Sequence, residues 1–148
     1  MSRRLVREKA LQTLYQNELN PAGGDRSVEA AARSLQKETG EEEVSFFLRL
    51  TRGVLKEMPV LDPVIQRFLK KEWPLSRLSY IDRSILRLAV YELLFEDGIP
   101  EGATLNEAVE LAKTFSSEDS ARFINGVLGS MVKNMEEVRK LARTDFSG

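Results

Sequence analysis

Apolar positions along the chain recur at steps of three and four, and no stretch sustains the alternation of a half-buried strand. The spacing predicts a first helix over Arg3–Leu19, broken by the Pro and Gly of "NPAGGD" at Asn20–Asp25. A second helix follows over about Val28–Lys37. "TGEE", Thr39 to Glu42, has the form of a capping box, with Thr39 accepting from a free amide and Glu42 reaching back. It opens a third helix to about Glu57, which Pro59 stops, and a fourth spans about Leu61–Lys71. Trp73-Pro74 ends that one, because a residue before proline avoids the α region. Beyond this seam, "SYID" (Ser79–Asp82) opens a helix to about Phe95, and "DGIP" (Asp97–Pro100) is a turn. "TLNE" (Thr104–Glu107) opens a helix to near Phe115, and "SSED" (Ser116–Asp119) opens the last long helix, to at least Asn134. The tail Arg143–Gly148 is expected to fray. The expectation is an all-α chain, about seven helices in two small fused helical bundles, roughly 1–72 and 73–142, within one domain of 148 residues.

Two helices carry informative exceptions. Between Ser79 and Phe95, Ile81, Ile85, Leu86, Leu88, Ala89, Val90, Leu93, Leu94 and Phe95 point nearly all round the axis, which marks a central, buried helix. Arg83 and Arg87 form its polar edge. Glu92 falls on the side of Ile81, Ile85 and Leu88, where an ionised carboxylate needs a partner: an arginine or free helix-end amides. In "ARFINGVL", Ala121–Leu128, the hairpin dipeptide Asn125-Gly126 sits inside a helical pattern, where glycine costs about 1 kcal/mol against alanine. Ile124, Val127, Leu128 and Met131 form the core stripe. Arg122, Gly126, Gly129 and Lys133 share the opposite side. Such a bare face suits close packing of another helix or close approach of a sugar-phosphate chain.

Composition narrows the chemistry. The chain is 42% hydrophobic and 30% charged, as globular proteins are. No apolar run approaches the roughly 20 residues of a membrane span, and the N-terminus lacks a secretory apolar region, so a cytoplasmic protein is expected. There is no cysteine and no histidine, which removes thiolate nucleophiles and the commonest general base and metal ligand. Glu107 and Glu110 lie one turn apart, but no histidine completes a metal set. Neither metal, cofactor nor catalysis is expected. Net charge is −1, yet Arg3, Arg4, Arg7 and Lys9 face Glu8 alone in the first ten residues, a local patch for a polyanion.

Two long blocks resemble the NusB family of bacterial transcription antitermination factors: "WPLSRLSYIDRSILRLAVYELLF" (Trp73–Phe95) and "NEAVELAKTFSSEDSARFINGVL" (Asn106–Leu128). "REKALQTLYQNEL", Arg7–Leu19, is similar to the family's first helix. The resemblance implies an all-helical fold of two subdomains and binding to boxA RNA in the leader of ribosomal RNA operons. It implies a heterodimer with NusE, ribosomal protein ten of the small subunit, acting with other antitermination factors on RNA polymerase. Self-association of the free chain is left open. A related domain is fused to some RNA cytosine methyltransferases, but this chain lacks the cysteine they use.

The family's arginine-rich N-terminus matches Arg3, Arg4 and Arg7, with Lys9 nearby; guanidinium forks pair with phosphate and release counterions. The alternative is an ordinary solvated basic tail. Tyr15, on the helical line of Arg4, Glu8 and Leu11, either stacks on an unpaired base or is half-buried with a wet hydroxyl. The resemblance extends the RNA surface to Arg122, Phe123, Asn125 and Gly126. Asp119 is expected to cap its helix and to moderate RNA affinity by repulsion. Asp82, Arg83 and Arg87 are the expected NusE contacts, against a capping aspartate and solvated arginines. The competing class is a helical adaptor without RNA affinity.

Overall fold

The computed structural model describes the backbone of residues 3–147 and the side chains of residues 3–143. All regular structure among them is helical: α1 (Arg3–Leu19), α2 (Gly24–Gln36), α3 (Glu41–Arg67), α4 (Tyr80–Phe95), α5 (Glu101–Phe115), α6 (Glu118–Lys133) and α7 (Met135–Ser147). Short 3-10 turns occupy Pro21–Gly23 and Leu75–Arg77. The chain forms two compact units, Met1–Lys56 and Glu57–Gly148, which meet within α3.

In the first unit α1 buries Val6, Ala10, Leu11 and Leu14, and α2 buries Val28, Ala32 and Leu35. α2 starts earlier than the expected Val28, since Gly24 at φ +45° turns the chain straight into it. Thr39 does not cap α3. Its hydroxyl donates back to the Leu35 carbonyl (2.8 Å), while the Gly40 amide donates to Glu43, not Glu42 (3.0 Å). Arg52 pairs with Asp25 at 3.0 Å on the surface; this hydrogen bond holds the Asp25 carboxyl below the usual range and raises the Arg52 guanidinium.

Pro59 does not stop α3. The helix runs through Pro59 and Pro63 and ends at Arg67, short of Lys71. Each internal proline removes one ladder bond and costs about 3 kcal/mol. Burial of Val60, Leu61, Val64 and Ile65, at roughly 1.5–3 kcal/mol each, offsets this. A local rule lost to packing.

In the second unit α4 is the buried element that its pattern predicted, with Ile85, Leu86, Leu88, Ala89 and Val90 inside. Ser79 caps it by accepting from the Asp82 amide (3.1 Å). Gly98, at φ +80°, makes the turn to α5. α5 begins at Glu101, so Thr104 is not its cap; it lies inside and donates its hydroxyl to Glu92 (3.1 Å). The buried carboxylate thus uses a hydroxyl from the next helix, a partner the sequence did not suggest. α5 and α6 pack against each other, and Ala108, Leu111 and Ala112 of α5 and Ala121, Ile124 and Leu128 of α6 are buried. α7 is helical as far as Ser147, where fraying was expected; Gly148 lies outside the described residues.

Candidate nucleic-acid interface

In the first unit, Arg3 and Arg4 stand exposed at the start of α1. One turn on, Arg7 is only 5% exposed. It lies over the ring of Phe46 from α3 (5.6 Å to the centroid), with Arg3 at 4.8 Å and Arg49 at 5.5 Å. Three guanidinium planes around one ring are held by cation–π attraction, and a depression of about 110 Å³ opens there between Arg3, Ser45, Phe46 and Arg49. Arg7 is therefore a buried brace rather than the surface cation expected. Lys9 and Tyr15 are both half-buried.

In the second unit, Ser117 caps α6 by accepting from the Ser120 amide (3.0 Å). Asp119, expected as the cap, is exposed and accepts a charge-assisted bond from Arg122. Its charge still complements the helix dipole from the first turn. Arg122, Asn125 and Gly126 are exposed and Phe123 is half-buried, while Ile124, Val127, Leu128 and Met131 are buried as the stripe predicted. A Cβ built at Gly126 or Gly129 meets nothing within 4 Å. Among the described residues no helix packs closely at Gly126. The glycines leave an open ledge, bounded by Arg122 and Lys133.

The three expected partner contacts divide. Asp82 is 9% exposed and accepts from the hydroxyls of Ser116 (2.9 Å) and Ser120 (2.8 Å), tying α4 to the α5–α6 junction. Arg87 is no solvated arginine: it is buried and donates to Asp62 of α3 through Nε (2.8 Å) and Nη2 (2.9 Å). Arg83 is half-buried over the Tyr80 ring (4.6 Å), with its Nε–H lacking a partner.

A model of the NusB family matches residues 4–133. The chain belongs to the NusB family. The transcription antitermination protein NusB of Desulforudis audaxviator is 44% identical over 140 residues, covering 94% of this chain and 99% of that protein. NusB of Bacillus thuringiensis is 45% identical over 131 residues, covering 88% and 97%. These relatives are named as transcription factors, not as enzymes. The crystal structure of Thermotoga maritima NusB superposes with a TM-score of 0.79 at 32% identity, covering 100% and 99%. A NusB chain from a complex of NusB and NusE with double-stranded RNA shares the fold, with a TM-score of 0.79 at 24% identity over 89% and 96%.

Within this NusB fold the sequence reading missed Phe46 and Arg49, which brace the α1 cations, and Asp62, Ser116 and Ser120, which hold Arg87 and Asp82. The Phe46–Arg49 spacing of three was visible; that α1 would cross it was not. Among the described residues no carboxylate cluster able to hold a metal gathers at Glu107 and Glu110, and Glu110 faces Lys113.

Proposed function

We propose that this chain is a cytoplasmic transcription antitermination factor that binds boxA RNA of ribosomal RNA operons together with NusE, ribosomal protein ten of the small subunit. In this reading the pair joins other antitermination factors on RNA polymerase. The observation that carries the RNA half is the open α6 ledge: two glycines without neighbours, flanked by the cations Arg122 and Lys133. A bare helix face lets a sugar-phosphate chain approach the backbone, and its edges supply charge. The exposed Arg3 and Arg4 of α1 supply further phosphate contacts, and the half-exposed Tyr15, three turns further along the same helix, offers a stacking surface. Arg7, Asp82 and Arg87 act from beneath, by holding α1 and α4 in place. The NusE half is supported by the fold shared with a chain of a NusB–NusE complex crystallised with double-stranded RNA.

The test is a titration of labelled boxA RNA, with and without NusE, across a range of salt. Binding is expected to tighten with NusE, because the partner shares the RNA and raises effective concentration. The Arg3→Gln/Arg4→Gln double variant is expected to bind more weakly, its salt slope falling by about 0.7 per lost phosphate contact on a single strand. A chain that binds NusE but no RNA under any of these conditions is the helical adaptor instead.

A further inference from the structure

The second unit holds another set of cations that the reading above does not use. Most of its described arginines face carboxylates: Arg67 with Glu137, Arg87 with Asp62, Arg122 with Asp119 and Arg139 with Glu101. Arg77 and Arg83 instead lie over aromatic rings, 5.9 Å from the Trp73 centroid and 4.6 Å from that of Tyr80. No ion pair engages either among the described residues. Both rings reach water: Trp73 is 52% exposed and Tyr80 is 40% exposed. Lys70 and Lys71 stand exposed just before Trp73, with Glu72 the one exposed acid between Lys70 and Arg83. The stretch is basic within a chain of net charge −1.

The exposure is not looseness. Leu75 and Leu78 are buried on either side of Arg77. The Leu75 amide donates to the Gln66 side chain (2.9 Å), and the Trp73 amide donates to the Lys70 carbonyl (3.0 Å). A backbone pinned this firmly presents an indole that burial would have stabilised by roughly 2 kcal/mol or more. Large aromatics left in water beside unpaired cations mark a binding surface.

We infer that the stretch from Lys70 to Arg83 is a second contact surface for single-stranded RNA, resting on the reading of this chain as an RNA-binding factor. Trp73 and Tyr80 stack with unpaired bases, and Lys70, Lys71, Arg77 and Arg83 take phosphates. Every base has a π face, so the contact tolerates sequence, and the guanidinium planes extend the platform. An acidic polypeptide would satisfy the cations and leave both rings without a stacking partner.

Trp73 is the only tryptophan of the chain, so its emission reports this surface alone. The full chain is titrated with a short labelled single-stranded RNA, reading anisotropy of the label and quenching of Trp73 together. A charge-matched oligoglutamate is the control. Quenching that tracks RNA binding is expected. Trp73→Ala is expected to bind RNA about 5- to 150-fold more weakly, with an unchanged circular dichroism spectrum. Lys70→Gln/Lys71→Gln, which touches no ring, is expected to lower the salt slope. RNA that binds with unchanged emission and equal affinity for Trp73→Ala overturns this inference and leaves the α1 and α6 contacts standing. Absence of any RNA binding overturns both. Quenching by oligoglutamate but not by RNA assigns the surface to an acidic protein and overturns the inference.

Discussion

The glycines of α6 offer a perturbation in which stability and function move in opposite directions. Gly126 and Gly129 sit inside the helix, and a Cβ at either meets nothing within 4 Å. Alanine at each therefore keeps the fold and removes the entropic cost of glycine, about 1 kcal/mol per site. For a chain of this size 1 kcal/mol shifts the melting temperature by about 2–4 °C, so the double alanine variant is expected to melt roughly 4–8 °C higher. Leucine has nearly alanine's helix propensity, so Gly126→Leu is expected to stabilise by a similar amount per site. Its side chain, however, stands on the ledge where the sugar-phosphate chain approaches. The paired measurement is a calorimetric melt and a boxA RNA titration on the same samples. Gly126→Leu should melt higher and bind RNA more weakly. A lower melting temperature would mean the face is covered and the geometric argument is wrong. A higher one with unaltered affinity would remove the ledge from the RNA surface.

Other consequences follow from particular contacts. Asp62→Ala removes the carboxylate that accepts two bonds from the buried Arg87 guanidinium; since Asp62 is partly exposed, a loss of about 2–3 kcal/mol is expected by urea denaturation, below the range for a fully buried pair. Thr104→Val removes a donor to the buried Glu92 and is expected to cost about 1–3 kcal/mol in the same assay. Asp119→Asn releases Arg122 and reduces repulsion, so RNA affinity should hold or rise by up to about fivefold in a filter-binding assay; markedly weaker binding by the folded variant would contradict this. The Arg52 hydrogen bond lowers the Asp25 carboxyl, so its contribution is present above the ordinary aspartate value of about 3.9 and is lost as pH falls through the folded value. The small difference in melting temperature between the wild type and Arg52→Gln should accordingly shrink below about pH 4.

Patterns of three and four residues were enough to define an all-helical chain, the extent of α1, the central burial of α4, the Ser79 cap and the two faces of α6. They are local properties, set by side-chain direction along a single helix, and a sequence displays them directly. The family was legible for a related reason, since long blocks of such positions keep their order. What the sequence could not display were terms that depend on a second element. Whether prolines break a helix depends on what the flanking residues bury, and α3 continues through both of its own. Whether Arg7, Asp82 and Arg87 are surface cations and contacts or buried braces depends on Phe46, Ser116, Ser120 and Asp62, distant in the chain and adjacent only after folding. Whether Gly126 packs or stands open depends on the absence of any neighbour within reach, a property of the space around a residue and not of the residue.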